Sequence, residues 1–297
     1  MRRPPAAVDN RCSMDFETQP IHLSHPGIVF KRPEPPLPPS SLRHPDCVRW
    51  IRAALAPYTL APQRLTFELL ENEEIGDITR YTEAIFDLHA LGVRLAMDDL
   101  GSGYSSLLRL RNLPFDLIKI DQGLLYEADK APHRTISLVG SLIKMAHSMD
   151  LQIAMEGLQN ADLVETARLL GTDLAQGYAL ARPMPAADIP GWIARFLRLP
   201  DQEAPRTVMG VMATHWLWEQ GVQDRFSPDP ANAHLQCSLG QFLARRGLAN
   251  SEAAALHRQM HQTAQKQGTG NMAYQQVRNR FYELFTAEAL QNVAPPA

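Results

Sequence analysis

Residues 96–107 read AMDDLGSGYSSL, and this stretch decides how the chain folds. An apolar run ends in two adjacent aspartates, Asp98 and Asp99, and a glycine-rich turn follows at once. The apolar run is typical of a strand that is buried on both faces, where charged side chains are rare. The two carboxylates therefore mark the point at which the predicted strand leaves the core.

Four other short apolar runs share this pattern. The five runs are RLTFELL, VRLAMDDL, FDLIKID, LQIAMEG and LAQGYAL. Helix-like stretches separate and flank them, at 42–56, 77–91, 104–112, 133–149, 160–170 and 186–198. Short buried strands that alternate with helices predict an α/β fold built from parallel βα units.

Each predicted strand ends in polar or charged residues: Glu68, Glu71, Asp98, Asp99, Lys119, Asp121, Glu156 and Gln176. In parallel α/β folds the carboxyl ends of the strands meet at one rim, where active sites lie. A single residue of this kind would be explained as a solvated strand end, but its recurrence at five strands favours a functional site.

The chemistry of this predicted rim suits divalent cations. Mg²⁺ and Mn²⁺ prefer oxygen ligands, and adjacent carboxylates such as Asp98 and Asp99 can each serve one ion of a pair. Two such ions can clamp a phosphodiester and activate a water between them. Lys119 would hold a phosphate or position that water, and Gly101 and Gly103 would let a loop approach closely.

The composition of the chain limits the kinds of partner that we expect the protein to bind. The net charge of −3 gives no basic surface for a nucleic-acid polymer, and no apolar run reaches the ~20 residues that span a bilayer. The cysteines Cys12, Cys47 and Cys237 are too far apart in sequence for a disulfide framework. These features predict a cytoplasmic protein that binds neither nucleic-acid polymers nor membranes.

The chain is predicted to have three parts. Residues 1–41 are a proline-rich segment, residues 42–200 carry the βα units, and residues 206–293 have no strand-like runs. Within the last part, 206–225, 238–265 and 271–293 are predicted helices that form an α-helical bundle.

Several motifs resemble the EAL family of cyclic di-GMP phosphodiesterases over about 42–195: ELLENEEI, LGVRLAMDDLGSGYSSLLRLRNLPFDLIKID, IAMEGLQ and LAQGYALARPMP. The resemblance implies a TIM-like (β/α) barrel and metal-dependent hydrolysis of cyclic di-GMP to linear pGpG. It also implies a role in the signal transduction that regulates biofilm formation and motility.

The resemblance also implies roles for individual residues. Glu68, Asp98 and Asp99 match ligands of Mg²⁺ or Mn²⁺, and Lys119, Glu156 and Gln176 match the catalytic centre. Glu71 matches the glutamate that braces a flexible loop, whose residues are Gly101, Ser102, Gly103, Tyr104 and Ser105. Asp121 lies in the matching KID motif, where its implied role is chiefly structural.

The N-terminal part departs from the family pattern. Gln19-Pro20-Ile21 matches the family's start, but Phe30-Lys31-Arg32 stands where the signature glutamate should follow. The family's asparagine metal ligand has no match, and Gln159 replaces a second glutamate. We therefore expect an N-terminally truncated, incomplete barrel that holds one cation weakly, with impaired or no hydrolysis.

Histidines concentrate in the C-terminal part. His257 and His261 are four residues apart on one predicted helix, and imidazole together with thiolate favours zinc. The sequence from THWLW to LHRQMHQ resembles the chemoreceptor zinc-binding module, which implies His215, Cys237, His257 and His261 as ligands, with His234 as an alternative. The competing interpretation is a helical bundle with surface histidines and a buried cysteine.

Two functional hypotheses follow, beside a third possibility of a truncated pseudo-domain in which only the C-terminal bundle is competent. The first is a regulatory protein that binds cyclic di-GMP or a protein partner without turnover and is linked to a zinc-sensing module. The second is an active cyclic-guanylate-specific phosphodiesterase, a hydrolase, under zinc control. Assembly with a second copy of the chain fits either hypothesis.

Overall fold

A computed structural model describes residues 42, 44–57, 61–70, 78–100, 106–125, 130–196, 204–221 and 232–291. The proline-rich segment 1–41 lies outside the described residues, so the prediction of a truncated barrel stays a prediction. The boundary predicted between 200 and 206 also falls largely on residues that the structure does not describe.

The described strands form one parallel sheet in the order β1-β2-β3-β4-β5. Their bounds are β1 Thr66–Leu70, β2 Arg94–Leu100, β3 Leu117–Ile120, β4 Gln152–Met155 and β5 Leu174–Ala175. Every neighbouring pair is parallel. All five predicted strands are therefore present, and the prediction of an α/β fold with a parallel sheet is confirmed.

Helices connect these strands, close to the predicted positions. They are α1 Cys47–Leu55, α2 Ile78–Ala90, α3 Ser106–Asn112, α4 Pro132–Ser148, α5 Ala161–Leu170 and α6 Ile189–Phe196, with 3₁₀ turns at Pro62–Arg64, Gln122–Leu125 and Ala186–Asp188. Local chemistry fixes the ends of α5. The Asn160 side chain accepts a hydrogen bond from Leu163 N, and Gly171 ends the helix in the left-handed conformation.

The two faces of the sheet differ in character, because side chains alternate along each strand. One face packs against the helices and carries the large apolar residues Leu95, Met97, Ile118, Ile120, Ile153 and Met155. The opposite face carries a small cluster of Ala96, Leu117 and Ala154. Asp98, Lys119 and Glu156 each lie two residues further along the same strands, so they continue this second face at the carboxyl end of the sheet.

The residues after 204 are helical wherever the structure describes them as regular elements. The helices are α7 Val208–Glu219, α8 Ala233–Gln236, α9 Ser238–Arg245, α10 Glu252–Gln267 and α11 Met272–Gln291. The prediction of one continuous helix over 238–265 is wrong. Gly247 adopts the left-handed conformation after α9, and Ser251 caps a new helix by accepting from Ala254 N, so the chain turns between the two.

Helix α7 is apolar on almost every side and is buried accordingly. It packs against α4 and α5 of the sheet region and against α9 of the C-terminal region. Trp216 lies over Gly140 of α4 so closely that a Cβ there would overlap the indole ring. At 12 residues α7 is short, and no helix in the described part of the chain has the length and apolar character to cross a membrane.

A buried carboxylate fixes the start of α7. Glu165 of α5 accepts hydrogen bonds from Arg206 N, from Thr207 N at 2.8 Å and from Thr207 Oγ1 at 2.6 Å. The amino end of a helix has unpaired N–H groups and a partial positive charge, which an anion satisfies. Glu165 thereby joins the sheet region to the C-terminal helices, and Gly210 leaves room for it.

We predict that Gly210→Ala destabilises the protein by about 2 kcal/mol, because the added Cβ overlaps Glu165 Oε2 in a packed interface. Urea unfolding followed by circular dichroism measures the change. Gly270→Ala is the matched control, since a methyl group added there meets no atom within 4 Å, and it should change stability by less than about 0.5 kcal/mol. Equal stability of the two variants would contradict the role given to Glu165.

Candidate functional site

Four neighbouring strands, β1 to β4, bring charged residues together at the carboxyl end of the sheet. Lys119 Nζ lies 2.6 Å from Asp98 Oδ1, 3.1 Å from Glu68 Oε1 and 2.5 Å from Glu156 Oε1, a residue that directly follows β4. The lysine is only 3% exposed, and Asp98 is also buried. A buried ammonium is stable only when it is paired, and these three carboxylates supply the pairing. We call Glu68, Asp98, Asp99, Lys119 and Glu156 the rim cluster.

A β-bulge explains how two adjacent aspartates both reach this cluster. Neighbouring residues of a regular strand face opposite sides of a sheet. Met97 pairs with Ile118 and Leu100 with Ile120, so β2 contains one extra residue between these pairs. Asp99 lies in this bulge with a φ of 59°. This is a left-handed conformation, which Asp tolerates better than most residues do.

The rim cluster carries more negative than positive charge. Burial, followed by the charges of Asp98, Asp121 and Glu156, raises the pKa of Asp99 above its usual value, while Lys119 opposes the rise. Carboxylates that repel one another in this way are relieved by a cation. The oxygen donors therefore fit a hard divalent ion such as Mg²⁺ or Mn²⁺.

The remaining predicted rim residues are placed as follows. Gln176 follows β5, and its backbone N donates to Met155 O of β4, which puts it beside Glu156 while its side chain is exposed. Asp121 accepts a hydrogen bond from Gly123 N and so orders the turn after β3. Glu71 and the predicted loop 101–105 lie outside the described residues.

A second cluster lies among the C-terminal helices. His215 of α7 and His257 and His261 of α10 are all buried, and each offers a ring nitrogen within 4.8 Å of the others. Both ring nitrogens of His261 lack a hydrogen-bond partner among the described residues. Buried polar atoms without partners are rare in proteins and need a physical reason. We call His215, Cys237, His257 and His261 the histidine cluster.

Cys237 completes this cluster from the turn between α8 and α9. Its Sγ lies 3.3 Å from His257 Nε2, close to the ~3.5 Å that separates a sulfur and a nitrogen ligand around one tetrahedral ion. The sulfur also accepts from Gly240 N at the start of α9. Gly240 is needed there because a Cβ would overlap His234 O. A small cavity of about 10 Å³ lies beside Cys237 and His215.

Burial favours the uncharged forms of His257, His261 and Cys237. It lowers the pKa of His261 to about 3 and that of His257 well below its usual value, with further lowering by the neighbouring histidines. Burial also raises the pKa of the Cys237 thiol to about 11, against hydrogen bonds from the start of α9. Neutral imidazoles are the form that binds metals, and a bound ion would displace the thiol proton. The donor set fits Zn²⁺.

His234, the alternative ligand, stands slightly apart. Its ring centroid is 6.5 Å from those of His257 and His261, and Arg258 Nε lies 3.2 Å from its Nε2. One of its nitrogens is thus already engaged. The geometry favours Cys237 over His234 as the fourth donor.

Sequence reasoning missed Glu219, which contacts the histidine cluster. It is buried at the end of α7, and its Oε1 lies 3.4 Å from His215 Nδ1. Burial alone would raise its pKa, but contacts with His215, Tyr274 and Arg278 outweigh burial and hold the pKa below its usual value. The group is therefore a buried carboxylate. Its position four residues after His215 was a usable signal, because that spacing puts both on one helix face.

Comparison with protein families shows a match to the EAL domain. The model of the EAL domain matches residues 35–183, which contain the whole described sheet and the rim cluster. The structure of the EAL domain of DcpA from Mycobacterium smegmatis is 28% identical, with a TM-score of 0.50, and the match covers 55% of this chain and 72% of that one.

Two proteins of Pseudomonas aeruginosa are similar in sequence. The cyclic di-GMP phosphodiesterase RocR is 34% identical over 147 residues, which cover 50% of this chain and 37% of RocR. The bifunctional diguanylate cyclase/cyclic di-GMP phosphodiesterase MucR is 33% identical over 150 residues, which cover 49% of this chain and 21% of MucR. The match thus spans well under half of each relative.

We predict that Lys119→Met lowers the free energy of unfolding by about 3 kcal/mol, because it leaves the buried Asp98 and the half-buried Glu68 and Glu156 without their cation. Urea unfolding without divalent ions measures this loss. Lys266→Met, at an exposed position of α10, should change stability by less than about 0.5 kcal/mol.

The same pair of variants tests whether the rim cluster accepts a divalent ion. Mn²⁺ should raise the melting temperature of Lys119→Met more than that of Lys266→Met, because the ion replaces the missing ammonium charge. The absence of any rise in the melting temperature of either variant with Mn²⁺ would argue against a cation site in the rim cluster.

Proposed function

The chain belongs to the EAL domain family, and we propose that it is a cyclic di-GMP signalling protein that binds the dinucleotide with impaired or no hydrolysis. Support for the ligand comes from the family and from relatives that include the phosphodiesterase RocR. The carboxyl end of the sheet, where such a phosphodiester would meet the rim cluster, is the expected binding site.

One observation carries the proposal of impaired hydrolysis. Lys119 Nζ contacts Glu68, Asp98 and Glu156, so a single ammonium already balances part of the charge of three carboxylates. Two divalent ions placed side by side would bring four positive charges, which carboxylates must offset. Among the described contacts, Asp99 is the only carboxylate of the cluster whose charge is not already shared with Lys119. The cluster suits one cation better than a pair.

The sequence supports the same conclusion. Phe30-Lys31-Arg32 stands where the family resemblance implies the signature glutamate, and the implied asparagine ligand has no counterpart. Both would supply metal-binding oxygen atoms. The alternative is an active phosphodiesterase. The sequence favours it by retaining the other residues that match the family's metal ligands and catalytic centre: Glu68, Asp98, Asp99, Lys119, Glu156 and Gln176.

We predict that the protein binds cyclic di-GMP in calorimetric titration and converts it to pGpG at least about 100-fold more slowly than RocR in the same Mg²⁺ or Mn²⁺ buffer. Chromatography of the nucleotides measures turnover. Asp99→Asn should weaken binding of the dinucleotide in the presence of the ion, and Asp188→Asn, at an exposed position in the 3₁₀ turn before α6, should not.

Turnover comparable to that of RocR, lost in Asp98→Asn, would replace this proposal by the active enzyme. Absence of binding in calorimetry, with the protein folded, would refute a cyclic di-GMP function altogether.

We also propose that the histidine cluster binds one Zn²⁺ and that the C-terminal helices report its presence to the sheet region. The supporting observation is that three buried histidines converge with Cys237 and that His261 has no partner for either ring nitrogen among the described residues. The resemblance of this region to the chemoreceptor zinc-binding module supports the same ion.

We predict one Zn²⁺ per chain in elemental analysis of the purified protein, and a lower melting temperature after removal of the metal with EDTA. His257→Ala and Cys237→Ala should each reduce the metal content. His147→Ala, on the exposed end of α4, and His234→Ala should retain it. Equal metal content in the wild type and Cys237→Ala would show that the proposed ligand set is wrong.

A further inference from the structure

Glu219 lies between the histidine cluster and helix α11. It ends α7 one turn after His215 and is only 4% exposed. Burying a carboxylate this deeply is costly unless several donors surround it. Packing alone does not explain why a carboxylate is buried beside a predicted metal ligand.

The contacts of Glu219 come from two helices. Tyr274 OH donates to Oε1 at 2.9 Å and Tyr282 OH donates to the same oxygen at 3.3 Å, both from α11. Arg278 Nη1 lies 3.6 Å from Oε2, and His215 Nδ1 lies 3.4 Å from Oε1. The three α11 residues are spaced by four and lie on one face of that helix.

Neither ring nitrogen of His215 has a hydrogen-bond partner among the described residues. We propose that Glu219 is a positioning residue of the metal site, whose Oε1 accepts a hydrogen bond from His215 Nδ1–H when a cation binds at Nε2. This inference rests on the proposed zinc function. A neutral imidazole has one donor and one acceptor nitrogen, so a carboxylate at one nitrogen fixes the other as the metal-binding one. The carboxylate also makes that nitrogen a better ligand.

The same contacts tie the metal site to α11, which contributes none of the predicted ligands. Any ordering of His215 by an ion is transmitted to Glu219 and from there to Tyr274 and Tyr282. Zn²⁺ should therefore slow amide hydrogen exchange in α11 as well as in α7 and α10.

A purely structural role of Glu219 makes a different prediction. If the carboxylate only docks α11, then removing the Tyr274 hydroxyl should affect the protein in the same way as changing Glu219. If it positions His215, only the change at Glu219 should weaken the metal. Tyr274→Phe is therefore the matched control, because it loses one hydrogen bond to Glu219 without touching His215.

The experiment measures the Zn²⁺ dissociation constant of the full chain by competition with a chromophoric chelator. Glu219→Gln, which keeps the shape and removes the charge, should bind Zn²⁺ about 10- to 100-fold more weakly at an unchanged stoichiometry of one. Tyr274→Phe should stay within about threefold of the wild type. Co²⁺ absorption spectra of both variants should keep the wild-type form, which shows that the ligands themselves are unchanged.

Three other outcomes would each refute the positioning role, the zinc site or both. Equal affinity of the wild type and Glu219→Gln refutes the positioning role while the zinc site stands. Equal weakening in Glu219→Gln and Tyr274→Phe assigns Glu219 to the docking of α11 and also refutes it. A wild-type protein that binds no Zn²⁺ refutes the zinc function and this inference together.

Discussion

The buried ammonium of Lys119 links four strands of the sheet, because it pairs with a carboxylate from each of the other three. Its ammonium is buried, so its contacts with Glu68, Asp98 and Glu156 must form if the sheet is to form at all. A shift of any strand by one residue would turn its charged residue to the opposite face. The register of β1, β2 and β4 against β3 is therefore coupled to the charge balance of the rim cluster. The bulge at Asp99 adds a carboxylate to this cluster and shifts the pairing of β2 with β3 by one residue.

Helix α7 imposes a second constraint on the fold, because it packs against both the helices of the sheet region and the C-terminal helices. Trp216 packs against Gly140 of α4, and Glu165 of α5 caps the start of the helix. His215, next to Trp216 in sequence, joins the histidine cluster instead. One continuous apolar core accordingly runs from the helices of the sheet to the C-terminal helices. The two candidate sites are thus connected through packed side chains.

The sequence was sufficient for features that depend on local pattern. Short apolar runs with polar ends predicted the strands and most of the rim cluster, since period and length are local properties. Features that depend on tertiary contacts were not accessible. The helix predicted over 238–265 breaks at Gly247, whose cost within a helix is only about 1 kcal/mol and so is a weak signal. The partners of Glu219 lie 55 and 63 residues away in sequence, and no local pattern specifies them.

The close contact between Trp216 and Gly140 bears on how such a protein can change over evolutionary time. Domains that are joined by a linker can be exchanged between genes, because each carries its own complete surface. Here an exchange near residue 204 would leave α7 without the surface of α4 that receives its indole ring. The histidine cluster and the sheet should therefore be inherited together, and a glycine at position 140 should accompany a tryptophan at position 216 in descendants of this chain.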